Sequence, residues 1–353
     1  MSQPSKTVFV LGAGFTRAFF PKAPLQVDHY AIEPLFDKYK DFDLARRVLE
    51  WETERADEGK INIERLLTRL EGMPHDREDA RLQFNLLKSD VHRIFRERLK
   101  DATANGKDLP KELTSFARHC INNRITCISF NYDDVLDKAL ALVAMEDATT
   151  PIHGSNWNPD AGYGFFCESS PSILGERPWV YNRLTAMYLL KLHGSMNWRI
   201  KLGYTKPYPI DAVVHHERWK TPQSDDGPTD KAIEFHLTGE PFIVPPVLGK
   251  SALEEPLLQS IWGKARTALR DADDGVVFVG YSCPVTDLAA SFLFSDTVPL
   301  NGSNVTVVNK AENPKSKQQV KEVYQNLFPR MQESGFQFID ALEWAQDLGN
   351  HSM

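Results

Sequence analysis

Gly12-Ala13-Gly14 stands directly after the apolar run Thr7–Leu11. Two glycines at a strand end accept φ > 0 and let backbone N–H groups approach a pyrophosphate, which is the chemistry of a dinucleotide cradle. A hydride-transfer fingerprint wants a third glycine three positions later, and Arg17 occupies that place, so the turn departs from the dehydrogenase pattern. A second segment, Asn131-Tyr132-Asp133-Asp134, follows the run Ile125–Phe130. An amide there offers donor and acceptor together and can orient a water or a carboxamide, while Asp133 or Asp134 reads equally as a helix N-cap. A third, His193-Gly194-Ser195, follows Met187–Leu192. The imidazole can act as a general base near neutral pH and the glycine permits close approach of a ligand, although a strand-end histidine also serves structural ends. The tripeptide recurs at His153-Gly154-Ser155 with no apolar run before it, so His193 is the candidate. Two further runs end in Gly280-Tyr281-Ser282-Cys283-Pro284, with Asp287 following, and in Asn309-Lys310. Both are placed to close over an adenosine half, or to act as turn and capping residues.

These segments need strands to present them. Short runs rich in Val, Ile and Phe recur at Thr7–Leu11, Ile125–Phe130, Met187–Leu192, Phe242–Val244, Val276–Gly280, Val305–Asn309 and Phe336–Ile339, and they read as strands buried on both faces. Helical periodicity lies between several of them, as in Val135, Leu136, Ala139, Leu140 and Val143, or Leu257, Leu258, Ile261, Trp262, Ala265 and Leu269. The alternation predicts an α/β fold: a Rossmann-like, mostly parallel sheet with helices on both faces. Residues 1–353 read as a single domain. Ile63, Leu66, Leu67 and Leu70, then Phe84, Leu87, Val91, Ile94 and Phe95, keep the 3.6-residue period and predict a helical insertion at about 31–118 after the first strand. Stretches rich in Pro, Gly, Asn and Asp at about 146–180 and 200–235 predict loop-rich insertions.

Composition removes several functions. A net charge of −7, with Lys and Arg scattered among acids, provides no drive toward nucleic-acid phosphates. No run approaches the roughly 20 apolar residues of a membrane span, and the N-terminus lacks the apolar core of a secretion signal; a cytoplasmic protein is expected. Cys120, Cys127, Cys167 and Cys283 form no C-x-x-C pair, so reduced thiols are expected and no cysteine zinc site. Gly249-Lys250-Ser251 looks like the end of a P-loop, but Val244 stands where its leading glycine belongs. His215-His216-Glu217 lacks metalloprotease spacing, and no metal is expected.

Taken in order, GAGFT at 12–16, SFNYDD at 129–134, KLHGSMNW at 191–198, PPVLGKS at 245–251, GYSCPVTD at 280–287 and VVNK at 307–310 resemble the sirtuin-like family, in particular its bacterial branch of NAD-consuming antiphage defence proteins. The resemblance implies NAD+ as substrate, with Gly12, Ala13, Gly14 and Thr16 at the pyrophosphate. It places Asn131 and Asp133 in the nicotinamide pocket, makes His193 the catalytic histidine and Asn131 catalytic with it, and sets Ser282 and Asn309 near the adenosine end. The four-cysteine zinc module of the family's protein deacetylases is absent from this sequence, and Phe19–Leu25 replaces their G-I-P-D-F-R loop. The implied activity is therefore NAD+ hydrolysis rather than deacylation, with ADP-ribosyl transfer and non-catalytic NAD or ADP-ribose sensing as the other readings. A toxic activity of this kind implies control, through homo-oligomerisation or a partner such as a HerA-like ATPase.

Overall fold

The computed structural model describes residues 6–23, 33–55, scattered positions between 65 and 94, 109–146, 157, 161–165, 185–199, 213–214, 241–243, 256–284, 287–299 and 302–350. The 146–180 and 200–235 insertions fall largely outside these residues. So do Cys167, His153-Gly154-Ser155, His215-His216-Glu217 and Gly249-Lys250-Ser251.

Six strands form one sheet: β1 (Thr7–Leu11), β2 (Thr126–Ser129), β3 (Leu189–Lys191), β7 (Gly275–Val279), β8 (Val305–Val308) and β9 (Phe336–Gln337). Every pairing in it is parallel and the spatial order is β3-β2-β1-β7-β8-β9. Numbered by their appearance in this sheet, the strands run 3-2-1-4-5-6, the order of a doubly wound dinucleotide fold. Val10, Leu11, Cys127, Ile128, Val276, Phe278 and Val279 are all essentially inaccessible to solvent, as expected where helices cover both faces.

The flanking helices are α1 (Ala13–Phe19), α4 (Lys111–Asn123), α5 (Val135–Glu146), α6 (Pro256–Arg270), α7 (Leu288–Thr297), α8 (Pro314–Leu327) and α9 (Ala341–Asn350). Local chemistry sets several of their starts. Asn313 and Ser316 form a capping box at α8, with Pro314 in the first turn, and Asp287 caps α7 by accepting from the Ala290 N–H. Phe9, Phe116 and Trp344 pack ring to ring where α4 and α9 meet β1.

Between α1 and α4 lie α2 (Glu33–Lys38), α3 (Asp43–Glu54) and further helical residues from 65 to 94. They bury a core of their own, including Leu35, Tyr39, Val48, Leu49, Leu66, Phe84, Leu87 and Val91. Within it Glu52 is fully buried against Arg65 and Arg69. The expected insertion, to about residue 118, also runs into α4, which instead places Leu113, Phe116, Ala117, Cys120 and Ile121 in the main core.

One expected strand lies elsewhere. β6 (Pro241–Ile243) pairs antiparallel with β4 (Gly194–Arg199), whose other edge takes β5 (Val213–Val214), and the three make a separate small sheet. Thus β3 passes through Leu192-His193 straight into a second strand, and Gly194, at φ +74°, takes the turn.

The glycine turn is packed tightly against the end of β7. A Cβ on Gly12 would stand 2.5 Å from Tyr281 Cα, and one on Gly280, already at φ +59°, would stand 2.2 Å from Phe15 N. Gly280→Ala is accordingly expected to cost about 2–4 kcal/mol from backbone strain and overpacking, read as a lower denaturation midpoint at unchanged slope; an unchanged midpoint would show that the two turns have room to separate.

Candidate functional site

Asn131 follows β2 at the carboxyl edge of the sheet, the edge where open α/β folds take ligands. Its Nδ2 donates to the Gly12 carbonyl at 3.0 Å and to Thr16 Oγ1 at 3.1 Å. A carbonyl can only accept, so the amide orientation is settled by chemistry. The residue is 8% exposed, and its Oδ1 is buried with no hydrogen-bond partner among the described residues. A buried acceptor left unpaired costs about 1–3 kcal/mol, so this atom is suited to a donor brought by a ligand: a water, a hydroxyl or an amide N–H.

Thr16 is a strut. Its hydroxyl accepts from Asn131 and donates to Asp133 Oδ2 at 2.7 Å. Asp133 Oδ1 accepts the Val135 N–H at 3.1 Å, so Asp133 caps the first turn of α5 while standing beside Asn131. Burial raises its carboxyl above the usual range, against the opposing effects of the Lys191 charge and the Thr16 hydroxyl.

Gly12 and Gly14 spend their N–H groups on β7, donating to the Val279 and Gly280 carbonyls, and the Phe15 N–H returns to the Gly12 carbonyl. Their lack of side chains is explained by this contact as fully as by a phosphate. Ala13 occupies the first helical position, where no intrahelical acceptor exists for its N–H. Arg17, the residue in place of the third glycine, donates to the Ala23 carbonyl.

His193 is 6% exposed. Phe130 meets its ring edge to face at 5.1 Å between centroids and Tyr132 lies at 6.1 Å. The residues on either side of Asn131 therefore both touch the His193 ring, and the ends of β2 and β3 converge there. His193 Nε2 stands 3.2 Å from Asp287 Oδ2. Burial works to raise the Asp287 carboxyl, but the charge and hydrogen bond of His193, the Ala290 N–H and the Tyr281 hydroxyl outweigh it and hold it below its ordinary value.

At the other end, Ser282 is exposed, whereas Asn309 donates to the Tyr281 carbonyl at 3.3 Å. The Tyr324 hydroxyl donates to the same carbonyl at 2.8 Å. Asn309 thus braces the β7 turn, with Ser282 beside that turn on the surface.

Beneath the convergence lies a polar cluster that motif reading passed over. Lys191, 1% exposed, donates to the Asp133 carbonyl and to Asp137 Oδ2 at 3.2 Å. Tyr163 also donates to Asp137, Asn197 approaches it at 3.4 Å, and Ser195 donates to Asn197. Burial raises the Asp137 carboxyl, with Lys191 and Tyr163 opposing. A signal was present: a lysine inside the apolar run Met187–Leu192 has to find an acid if that run is buried. Among the described residues no cluster of His, Cys, Asp and Glu could hold a metal ion, and no helix is long and apolar enough to cross a membrane. Cys120, Cys127 and Cys283 are buried thiols.

No known family model matches this chain, and no curated protein sequence matches it.

Proposed function

We propose that the chain hydrolyses NAD+ at the bond between nicotinamide and ribose, releasing nicotinamide and ADP-ribose. The observation that carries the reading is the unpaired, buried Asn131 Oδ1 at the end of one strand of a doubly wound parallel sheet, with His193, at the end of the adjoining strand, packed on the residues that flank Asn131. Cleavage passes through an oxocarbenium-like ribose, which asks the site to hold the leaving group, orient water and accept a proton. Asn131 Oδ1 orients the water or the nicotinamide ribose by accepting from its O–H. His193 takes the proton from that water or from a ribose hydroxyl. Asp133, whose oxygens each keep a lone pair beyond their present partners, receives the carboxamide N–H. The pyrophosphate lies against the glycine turn near the Ala13 N–H, and the adenosine half lies toward Ser282.

The sirtuin-like motifs support the same reading, with triggered NAD depletion in antiphage defence as its biological setting. Control through homo-oligomerisation, or through an ATPase partner, belongs to this proposal, and exposed Leu82 and Leu86 in the helical insertion make that region a suitable contact surface. The test is nicotinamide release from NAD+ by the full chain, from dilute to concentrated protein. Turnover that appears or steepens with concentration is the expected result. Tight NAD+ binding with no turnover at any concentration would favour a sensor instead.

A further inference from the structure

Asp287 is in contact with the candidate base, and the proposed reaction leaves it without a role. It sits at the N-cap of α7, where Oδ1 accepts the Ala290 N–H at 3.1 Å while Oδ2 faces His193 Nε2 at 3.2 Å. Oδ2 also accepts the Tyr281 hydroxyl at 3.4 Å, and the Cys283 thiol lies within reach of the Asp287 charge. Burial raises both of these groups, Tyr281 well above its ordinary value and Cys283 to about 12, so neither competes as an anion near neutral pH. The amino end of a ten-residue helix further favours the ionised carboxylate. An ionised carboxylate is an acceptor only, so the proton in the Asp287–His193 contact resides on Nε2. Among the described residues no group bonds His193 Nδ1.

We propose that Asp287 is a positioning residue for His193, holding the Nε2–H tautomer so that Nδ1 is the basic atom available to the reaction. This rests on the NAD+ hydrolase reading for its catalytic consequence, but the tautomer itself does not. One side chain thereby serves two ends, starting α7 with one oxygen and orienting the imidazole with the other. The arrangement also fixes the ring against Phe130 and Tyr132, so the base enters each cycle already in place.

Two variants separate the roles. Asp287→Ser keeps a good N-cap but is too short to reach the imidazole, and Asp287→Asn keeps cap and shape while offering N–H groups to Nε2. With the full chain and NAD+, both are expected to lower kcat by about 10²-fold or more with KM changed little. Thermal midpoints near wild type would show that α7 still forms. Independently of turnover, 15N NMR of the histidine ring nitrogens, with His193 assigned by loss of its signal in His193→Gln, should show the proton on Nε2 in the wild type and a mixed or reversed tautomer in both variants. A proton on Nδ1 in the wild type, or kcat unchanged in both variants, would overturn the inference. If the wild type does not turn over NAD+, the hydrolase reading fails and the NMR result still decides the tautomer.

Discussion

His193→Ala is expected to lower nicotinamide release by about 10²–10⁴-fold, the usual contribution of a positioned general base, while NAD+ binding changes little. The ring is held by Phe130, Tyr132 and Asp287, so removing it takes away the base positioned for the proton of the attacking water or ribose hydroxyl. Asn131→Ala is expected to cost a comparable factor for a different reason. It deletes the unpaired Oδ1 and also the two hydrogen bonds that tie the end of β2 to Gly12 and Thr16. Its thermal midpoint should therefore fall by a few degrees, whereas that of His193→Ala should move less. Product chromatography at saturating NAD+, run beside calorimetric binding, separates the two effects. Retention of wild-type kcat by both variants would remove them from the chemistry.

Lys191→Met should give the largest loss of stability, about 3–5 kcal/mol, because it leaves Asp137 buried without its cation. Tyr163 and Asn197 would still bond Asp137, so part of the loss is avoided by protonation of a carboxyl whose affinity for protons burial has already raised. The double variant Lys191→Met with Asp137→Asn should be less damaging than the two single losses added together, since the two side chains form one unit. Urea midpoints at constant slope measure this. The prediction extends to function, because Lys191 also donates to the Asp133 carbonyl and its loss frees the segment that carries Asn131. A loss below about 1 kcal/mol would mean that the pair is worth no more than an exposed one.

The parallel sheet was readable because its strands are covered on both faces and so appear as unbroken Val, Ile and Phe runs. β4 was not. Its buried residues alternate Ser195 and Asn197 with Met196 and Trp198, and polar residues buried in a hydrogen-bonded cluster resemble a loop when only side-chain type is read. The same difficulty moved Phe242–Val244 into the wrong sheet, since an apolar run carries no mark of its pairing partner. Strand-end positions located Asn131, His193, Asn309 and the glycine turn at the carboxyl edge, because in a doubly wound fold that edge follows from strand direction alone. What each residue bonds did not follow. The hydroxyl of Thr16 is bonded to Asp133 and Asn131, and Gly12 and Gly14 also admit the close approach of Gly280 and Tyr281, whatever ligand the turn holds. These contacts join segments more than a hundred residues apart, and no local pattern encodes them. Asp287 was visible only as the residue after a turn, and its role depends on where α7 begins relative to β3.

The most direct measurement of the central claim is to incubate the full chain with NAD+ in water enriched in oxygen-18 and analyse the products by mass spectrometry. Hydrolysis at the ribose predicts free nicotinamide and ADP-ribose carrying the heavy oxygen on its former nicotinamide-bearing carbon, with both lost in His193→Ala. Intact NAD+ at every protein concentration, or ADP-ribose recovered on protein rather than in solution, would contradict it.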